Sequence, residues 1–149
     1  MYAVDAGHGQ LLGRLRRDPR VVNRERTNLG ALDAHLIPDV VEVVTMDLSY
    51  LAIARAVPQL ERLAFADGAD LVALVKPMFE LDLASAPVDD ASIDRALARA
   101  SAGLRASGWD VVASLPSPVS GAGGARELFL HARRRAKVAP PPPRWDAGP

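Results

Sequence analysis

An open, doubly wound α/β domain with a mostly parallel sheet is what this sequence predicts, and three observations predict it. Short β-branched runs alternate with longer helical ones along the chain. Two of the runs, Val40 to Met46 and Leu71 to Val75, are nearly continuous in apolar residues, as strands covered on both faces are. The gaps between runs are long enough to hold crossover helices, which parallel strands require.

Six strands are expected, at Tyr2 to Asp5, Arg20 to Asn23, Val41 to Leu48, Leu71 to Val75, Asp110 to Leu115 and Glu127 to His131. The first begins almost at Met1 and ends in an acid. Helices are expected at Gln10 to Arg17, Tyr50 to Phe65 and Asp90 to Ser107. In the last of these Ile93, Leu97, Ala100 and Leu104 share one face, and Gly108 stops it. Pro58 should kink the middle one. After the basic stretch from His131 to Lys137, the run Pro140 to Pro143 and the residues beyond it can form neither helix nor ladder, so 138–149 read as a disordered or polyproline tail behind a domain of residues 1–137.

Composition bounds the chemistry. With 49% apolar and 24% charged residues the 149-residue chain can bury one core, and 18 basic against 18 acidic residues leave no chain-wide field to hold nucleic acid. Cysteine is absent, which excludes disulfide frameworks and thiol nucleophiles, and His8, His35 and His131 are too scattered for a conventional zinc site. No apolar run approaches the roughly 20 residues of a membrane span and no signal-type leader precedes Tyr2, so a cytoplasmic location is expected.

In doubly wound folds ligands sit beyond the carboxyl ends of the strands, so the strand-end residues carry the functional information. Asp5 ends the first strand before the turn Ala6-Gly7-His8-Gly9, where an acid can meet ribose hydroxyls and backbone can approach a ligand. The bland account of Asp5 is a turn former, and of His8 a solvated side chain. Asp47 and Lys76 close the third and fourth strands, and Pro77 rigidifies the chain just beyond Lys76. Glu127 opens the last strand after the glycine-rich turn Gly121 to Gly124. A lysine on such a tip either snorkels to the rim or serves a site.

Several motifs, in order over about 130 residues, make the chain resemble the hemolysin A (TlyA-type) ribosomal RNA 2′-O-methyltransferases of the FtsJ-like group. They are Tyr2 to Leu11, Leu15 to Val21, Glu25 to Asn28, Thr45 to Ser49, Ala73 to Glu80, and Pro116 to Val119 through Glu127 to Leu130. The resemblance implies a Rossmann-like fold that uses S-adenosylmethionine to methylate a ribose 2′-hydroxyl, with ribosomal RNA or a ribosomal subunit as partner. It implies that Asp47, Lys76 and Glu127 are the last three members of a Lys-Asp-Lys-Glu tetrad, that Asp5 holds the cofactor ribose, and that Glu25 and Asn28 lie near the adenine. It further implies a strand, a glycine-rich turn and the first lysine of the tetrad ahead of Tyr2. The sheet is therefore expected to lack its central strand, between the strands at Tyr2 to Asp5 and Val41 to Leu48, and the isolated chain to bind cofactor weakly. Its halves must either pair directly or stay poorly joined. Departures from the pattern include Leu29-Gly30, Met78, Ala125-Arg126 and the short loop from Leu81 to Pro87.

Two other classes share part of this pattern. A response-regulator receiver would share acids and a Lys-Pro on strand tips, but Asp47 to Lys76 holds one crossover where a receiver needs two of at least ~12 residues each plus a strand. A noncatalytic RNA-binding or ribosome-associated remnant would use Arg133, Arg134, Arg135 and Lys137 on phosphates, against the simpler account of a solvated basic end.

Overall fold

The computed structural model describes residues 1–136. Its strands are β1 (Tyr2–Asp5), β2 (Val22–Glu25), β3 (Val41–Met46), β4 (Phe65–Val75), β5 (Trp109–Pro116) and β6 (Leu128–Arg134). Its α-helices are α1 (Gly13–Arg16), α2 (Ile53–Ala56), α3 (Pro77–Glu80) and α4 (Asp90–Ala106). The proline-rich stretch 138–149 and Lys137 lie outside the described residues.

The strands fall into two sheets. β1 and β2 pair in parallel, Tyr2 opposite Val22 through Asp5 opposite Glu25. The other sheet has the order β3-β4-β6-β5, with β3 parallel to β4 and β6 antiparallel to both of its neighbours. Since β4 and β5 each oppose β6, they point the same way, and only β6 departs from a parallel arrangement. No ladder joins β1 to β3. The two halves therefore do not pair directly, and meet through side-chain packing.

One core serves both sheets. Period-2 alternation on β4 and β6 buries Leu71, Ala73, Val75, Leu130 and Ala132 completely, and leaves Val72, Leu74, Phe129 and His131 half-exposed on the other face. On the buried side Ile53 and Ala56 of α2 and Ala96, Ala100 and Leu104 of α4 complete the packing. Asp89 starts α4 by accepting the Ser92 amide at 2.8 Å. Gly103 is required by proximity: a Cβ there would lie 2.5 Å from Ala54 Cα, so α2 and α4 touch backbone to backbone. No described helix is long and apolar enough to cross a membrane.

Several expected boundaries move, each for a local reason. The second strand begins at Val22 because Asp18 captures the Arg20 amide and guanidinium, holding Arg20 in a turn. The helix expected over Gln10 to Arg17 keeps only Gly13–Arg16, since the Gln10 and Leu11 amides bond to Glu25 instead. The long helix expected over Tyr50 to Phe65 is one turn of α2 followed by a 3-10 turn over Val57–Leu60, in whose first turn Pro58 sits. Pro58 ends the α-helix there, where a kink was expected. Phe65 belongs to β4, paired with Val41 and edge-on to Trp109 at 5.2 Å. β4 is thus eleven residues long, passing through Gly68 at φ +72° before the apolar stretch. The third strand stops at Met46, and the last runs Leu128–Arg134, so Asp47 and Glu127 stand just outside the ladders.

Candidate functional site

The tips of β1 and β2 place two carboxylates side by side, because Asp5 and Glu25 are the last register pair of that ladder. Asp5 Oδ1 accepts the Gly7 amide at 2.7 Å, closing a tight turn. Beyond the ladder, Arg26 donates its amide to the Gly7 carbonyl and Thr27 to that of Asp5, so the two tips stay zipped. Glu25 is committed internally: its carboxylate accepts the Gln10 and Leu11 amides and a two-oxygen contact from Arg16, at 2.9 and 3.1 Å. Desolvation pulls the Glu25 carboxyl upward, but the Leu11 amide, Asn23, Arg16 and the Gln10 amide outweigh it and hold the group below its ordinary value.

Asp5 and Glu25 line a groove of about 360 Å³, together with Tyr2, Val4, Asn23 and, from the facing sheet, Thr45 of β3. The groove occupies the gap between the unpaired edges of β1 and β3. Asn28 precedes the 3-10 turn Leu29–Ala31, is exposed, and is not among the groove's lining residues. A ribose diol needs acceptor oxygens; Asp5 Oδ2 is bonded to nothing among the described residues, whereas both Glu25 oxygens are engaged. Asp5 thus keeps one carboxylate oxygen open to an incoming hydroxyl donor, and Glu25 braces the turn beside it. His8 is exposed on that turn.

The second group stands on the other sheet. Register places Thr45 opposite Val72 and Met46 opposite Ala73, so the residues emerging from β3 and β4 are neighbours. Lys76 Nζ pairs with Asp47 Oδ1 at 2.7 Å, the lysine 19% exposed and the aspartate 70%. Its stem is sheltered while its head reaches the rim, where a substrate can meet it. Glu127 sits across from this pair, since Val75 faces Leu128 in the antiparallel ladder and Lys76 and Glu127 extend it from opposite directions. Glu127 is half-buried, its carboxylate packed over Gly121, where any Cβ would collide with it. Its carboxylate makes no ion pair with Lys76 or with any other described residue. The structure thus unites Asp47 and Lys76, sets Glu127 on the adjoining tip, and keeps Asp5 and Glu25 on the separate sheet.

The basic stretch is already occupied. Arg133 pairs with Asp70 at 3.2 Å, Arg135 with Asp110 at 2.8 Å, and Arg134 lies over the rings of Phe65 and Trp109 while donating to the Ser107 carbonyl at 2.6 Å. These three arginines knit β6 to its surroundings, while Lys137, the fourth residue of the noncatalytic RNA-binding reading, lies outside the described residues.

Glu80 is the residue that sequence reasoning missed. It is 1% exposed, and its two oxygens accept the amides of Ile53 at 2.7 Å and Ala54 at 3.1 Å. Burial pushes its carboxyl above the ordinary value, against the opposing pull of those amides and of Arg99 and Arg55. Only its place in the run Lys76 to Glu80, next to a strand-tip lysine, pointed to it.

A family model described as FtsJ-like methyltransferase matches residues 1–134. The chain is 40% identical over 145 residues to the 16S/23S rRNA (cytidine-2′-O)-methyltransferase TlyA of Mycobacterium tuberculosis, covering 93% of this chain and 53% of that protein. It spans about half the length of the curated relatives it matches. Among solved structures, a "putative hemolysin" from Streptococcus thermophilus superimposes with a TM-score of 0.83 at 27% identity, over 90% of this chain and 50% of that one. A 16S rRNA (adenine(1408)-N(1))-methyltransferase from Catenulisporales acidiphilia, solved with its cosubstrate SAM, shares the fold at a TM-score of 0.58 and 16% identity, over 93% of this chain and 76% of that one. The architecture is that of the Rossmann-like methyltransferases.

Proposed function

The chain belongs to the FtsJ-like methyltransferase family, and from that premise we propose that its strand tips form part of a site that methylates a ribose 2′-hydroxyl of ribosomal RNA with S-adenosylmethionine as donor. The observation that carries this reading is the Lys76–Asp47 ion pair at 2.7 Å, with Glu127 on the adjoining tip. The cofactor supplies a methyl group on a sulfonium, an electrophile that needs alignment more than activation.

What the protein must supply is a better nucleophile, because a ribose hydroxyl is a poor one at neutral pH. Lys76 presents an N–H to the hydroxyl oxygen and stabilises the negative charge that develops as the hydroxyl proton passes to solvent at the exposed rim. Asp47 holds the ammonium at the rim, and Glu127 adds a second carboxylate beside the acceptor, fixing its approach. Asp5 takes the cofactor ribose with the oxygen its turn leaves free, and Glu25 keeps that turn in place. Asn28, at the exposed end of the same tip, would meet the adenine. The action of the Mycobacterium relative on 16S/23S rRNA supports the substrate class.

Radiolabelled methyl transfer to ribosomal RNA, read beside calorimetric cofactor binding, tests this. The assay uses the chain and, where its own turnover is too slow to read, a chimera completed with the remaining half of the Mycobacterium relative. Lys76→Ala abolishes transfer and leaves cofactor affinity within about threefold, since less than 1 kcal/mol of binding is touched. Asp5→Ala weakens cofactor binding first. Near-normal turnover by Lys76→Ala would sink the assignment.

A further inference from the structure

The segments that leave the carboxyl ends of β3 and β4 run side by side and are joined rung by rung. Asp47 pairs with Lys76 at 2.7 Å, the Tyr50 ring packs on Phe79 at 5.4 Å between centroids, the Ile53 and Ala54 amides donate to Glu80, and Arg55 pairs with Asp82 at 2.8 Å. Three of these rungs are exposed: Asp47, Tyr50 and the Arg55–Asp82 pair all face solvent, where contacts are weak. The Glu80 rung alone is buried, and each of its oxygens accepts a backbone amide.

Glu80 is also coupled to Lys76 through the backbone. Its own amide donates to the Lys76 carbonyl at 3.0 Å, closing the single turn of α3 behind Pro77. On the other side, five residues separate Asp47 from Ile53, and Tyr50 among them sits at φ +66°, a conformation a tyrosine holds only when its surroundings impose it. A path of two hydrogen bonds therefore runs from Lys76 to Glu80 to the start of α2, and a short constrained loop returns to Asp47.

We propose that Glu80 is a positioning residue: its buried carboxylate, clamped on the Ile53 and Ala54 amides, sets the spacing of the two post-strand segments and so holds Asp47 against Lys76. This rests on the reading of Asp47 and Lys76 as parts of the methyl-transfer site, but the contact it concerns can be observed without any catalysis. Cutting the clamp releases the loop bearing Asp47 while the ladders of β3 and β4, which end at Met46 and Val75, stay paired.

The sequence offers a clean probe, because Lys76 and Lys137 are the only lysines. Reductive methylation of the 149-residue chain with 13C-formaldehyde gives one dimethylamine signal for each lysine beside that of the amino terminus, and Lys76→Arg identifies the Lys76 signal. Asp47→Asn first fixes the displacement of the Lys76 signal that loss of the ion pair produces. Glu80→Ala and Glu80→Asp, the latter one methylene too short to reach both amides, should move the Lys76 signal in that same direction and leave the Lys137 signal in place. Glu80→Gln, which keeps one acceptor oxygen, should move it less. A Lys76 signal unchanged in Glu80→Ala, with a cooperative thermal transition retained, overturns the proposal, as does an Asp47→Asn variant that leaves Lys76 unmoved. If Glu80→Ala and Glu80→Gln both fail to fold, the carboxylate is a general stability element and the proposal is equally overturned. An unchanged Lys76 signal in an enzyme that still loses transfer with Lys76→Ala would refute the positioning role alone and leave the proposed function standing.

Discussion

The β1–β2 pair and the four-stranded sheet carry comparable chemistry on their tips but are held together by different forces. In the smaller sheet neither strand has a fully buried residue, and α1 buries none. Its ties are carboxylates: Glu25 on Arg16 and the Gln10 and Leu11 amides, and Asp18 on Arg20, with Asp33 closing the loop that follows on the His35 and Leu36 amides. In the larger sheet Leu71, Ala73, Val75, Trp109, Leu130 and Ala132 have no exposed surface. The tip that carries Asp47 and Lys76 thus rests on a close-packed core, and the tip that carries Asp5 and Glu25 on polar contacts beside an open groove. If both serve the proposed site, they do so with different degrees of stability.

The largest effect that bears on this contrast is Trp109→Ala. The indole is fully buried, edge-on to Phe65 and flanked by Arg134, so its loss costs about 3–5 kcal/mol, enough to unfold many single domains. Urea unfolding followed by circular dichroism measures it, and a loss under 1 kcal/mol would mean that the larger sheet is not the stabilising half.

An intermediate effect concerns the groove. A peptide able to form a parallel strand between the edges of β1 and β3 would satisfy ladder groups on both sides and cover Val43, which is 62% exposed. At a hundredfold excess over its dissociation constant it would stabilise the folded chain by about 2.7 kcal/mol through mass action. Hydrogen exchange should show the protection rising chiefly at Tyr2–Asp5 and Val22–Glu25. An unchanged melting temperature, or protection gained equally across β4 and β6, would erase the difference between the halves.

The smallest effect is acid sensitivity. The Arg20 side chain holds the Asp18 carboxyl below its ordinary value, the Leu36 amide does so for Asp33, and the Glu25 carboxyl is also lowered despite its desolvation. Each lowered group contributes stability that is fully present above its unfolded value, near 3.9 for aspartate, and is lost as pH falls through the lower folded value. Glu80 has the opposite sign: burial raises its carboxyl, so its contribution weakens as pH climbs from the ordinary glutamate range through the raised value. Asp70, lowered by its bond to His131 and by Arg133, and Asp89, lowered by Ser92, are the corresponding groups of the larger half. Exchange measured on acidification should therefore open residues 1–36 before β4 and β6, and simultaneous opening would blunt the comparison.

Much of this was legible in the chain because it is local. Val41 to Met46 and Leu71 to Val75 declare themselves by β-branching and apolar continuity, and a strand fixes where its last residue points, so Asp5, Asp47, Lys76 and Glu127 follow from the strand ends. What was not legible is tertiary. Phe65 reads as the end of the helix expected from Tyr50, yet its ring packs against Trp109, forty-four positions on, and its backbone pairs with Val41. Glu80 looks like a solvated helix-end acid, since the amides it satisfies lie 26 and 27 residues earlier. Arg133 to Arg135 look like a free basic patch because Asp70, Asp110 and the Phe65–Trp109 pair are distant in sequence.

The position of β6 sets a schedule. It is the last of the six described strands in chain order, yet it lies inside the sheet between β4 and β5, with ladder bonds on both flanks. Until Leu128–Arg134 emerge, β4 and β5 have no common neighbour and Trp109 lacks its ladder partner Arg134, so the nascent chain carries two open edges from the completion of β5 until then. The larger sheet, the more stable half once complete, is also the later one to close.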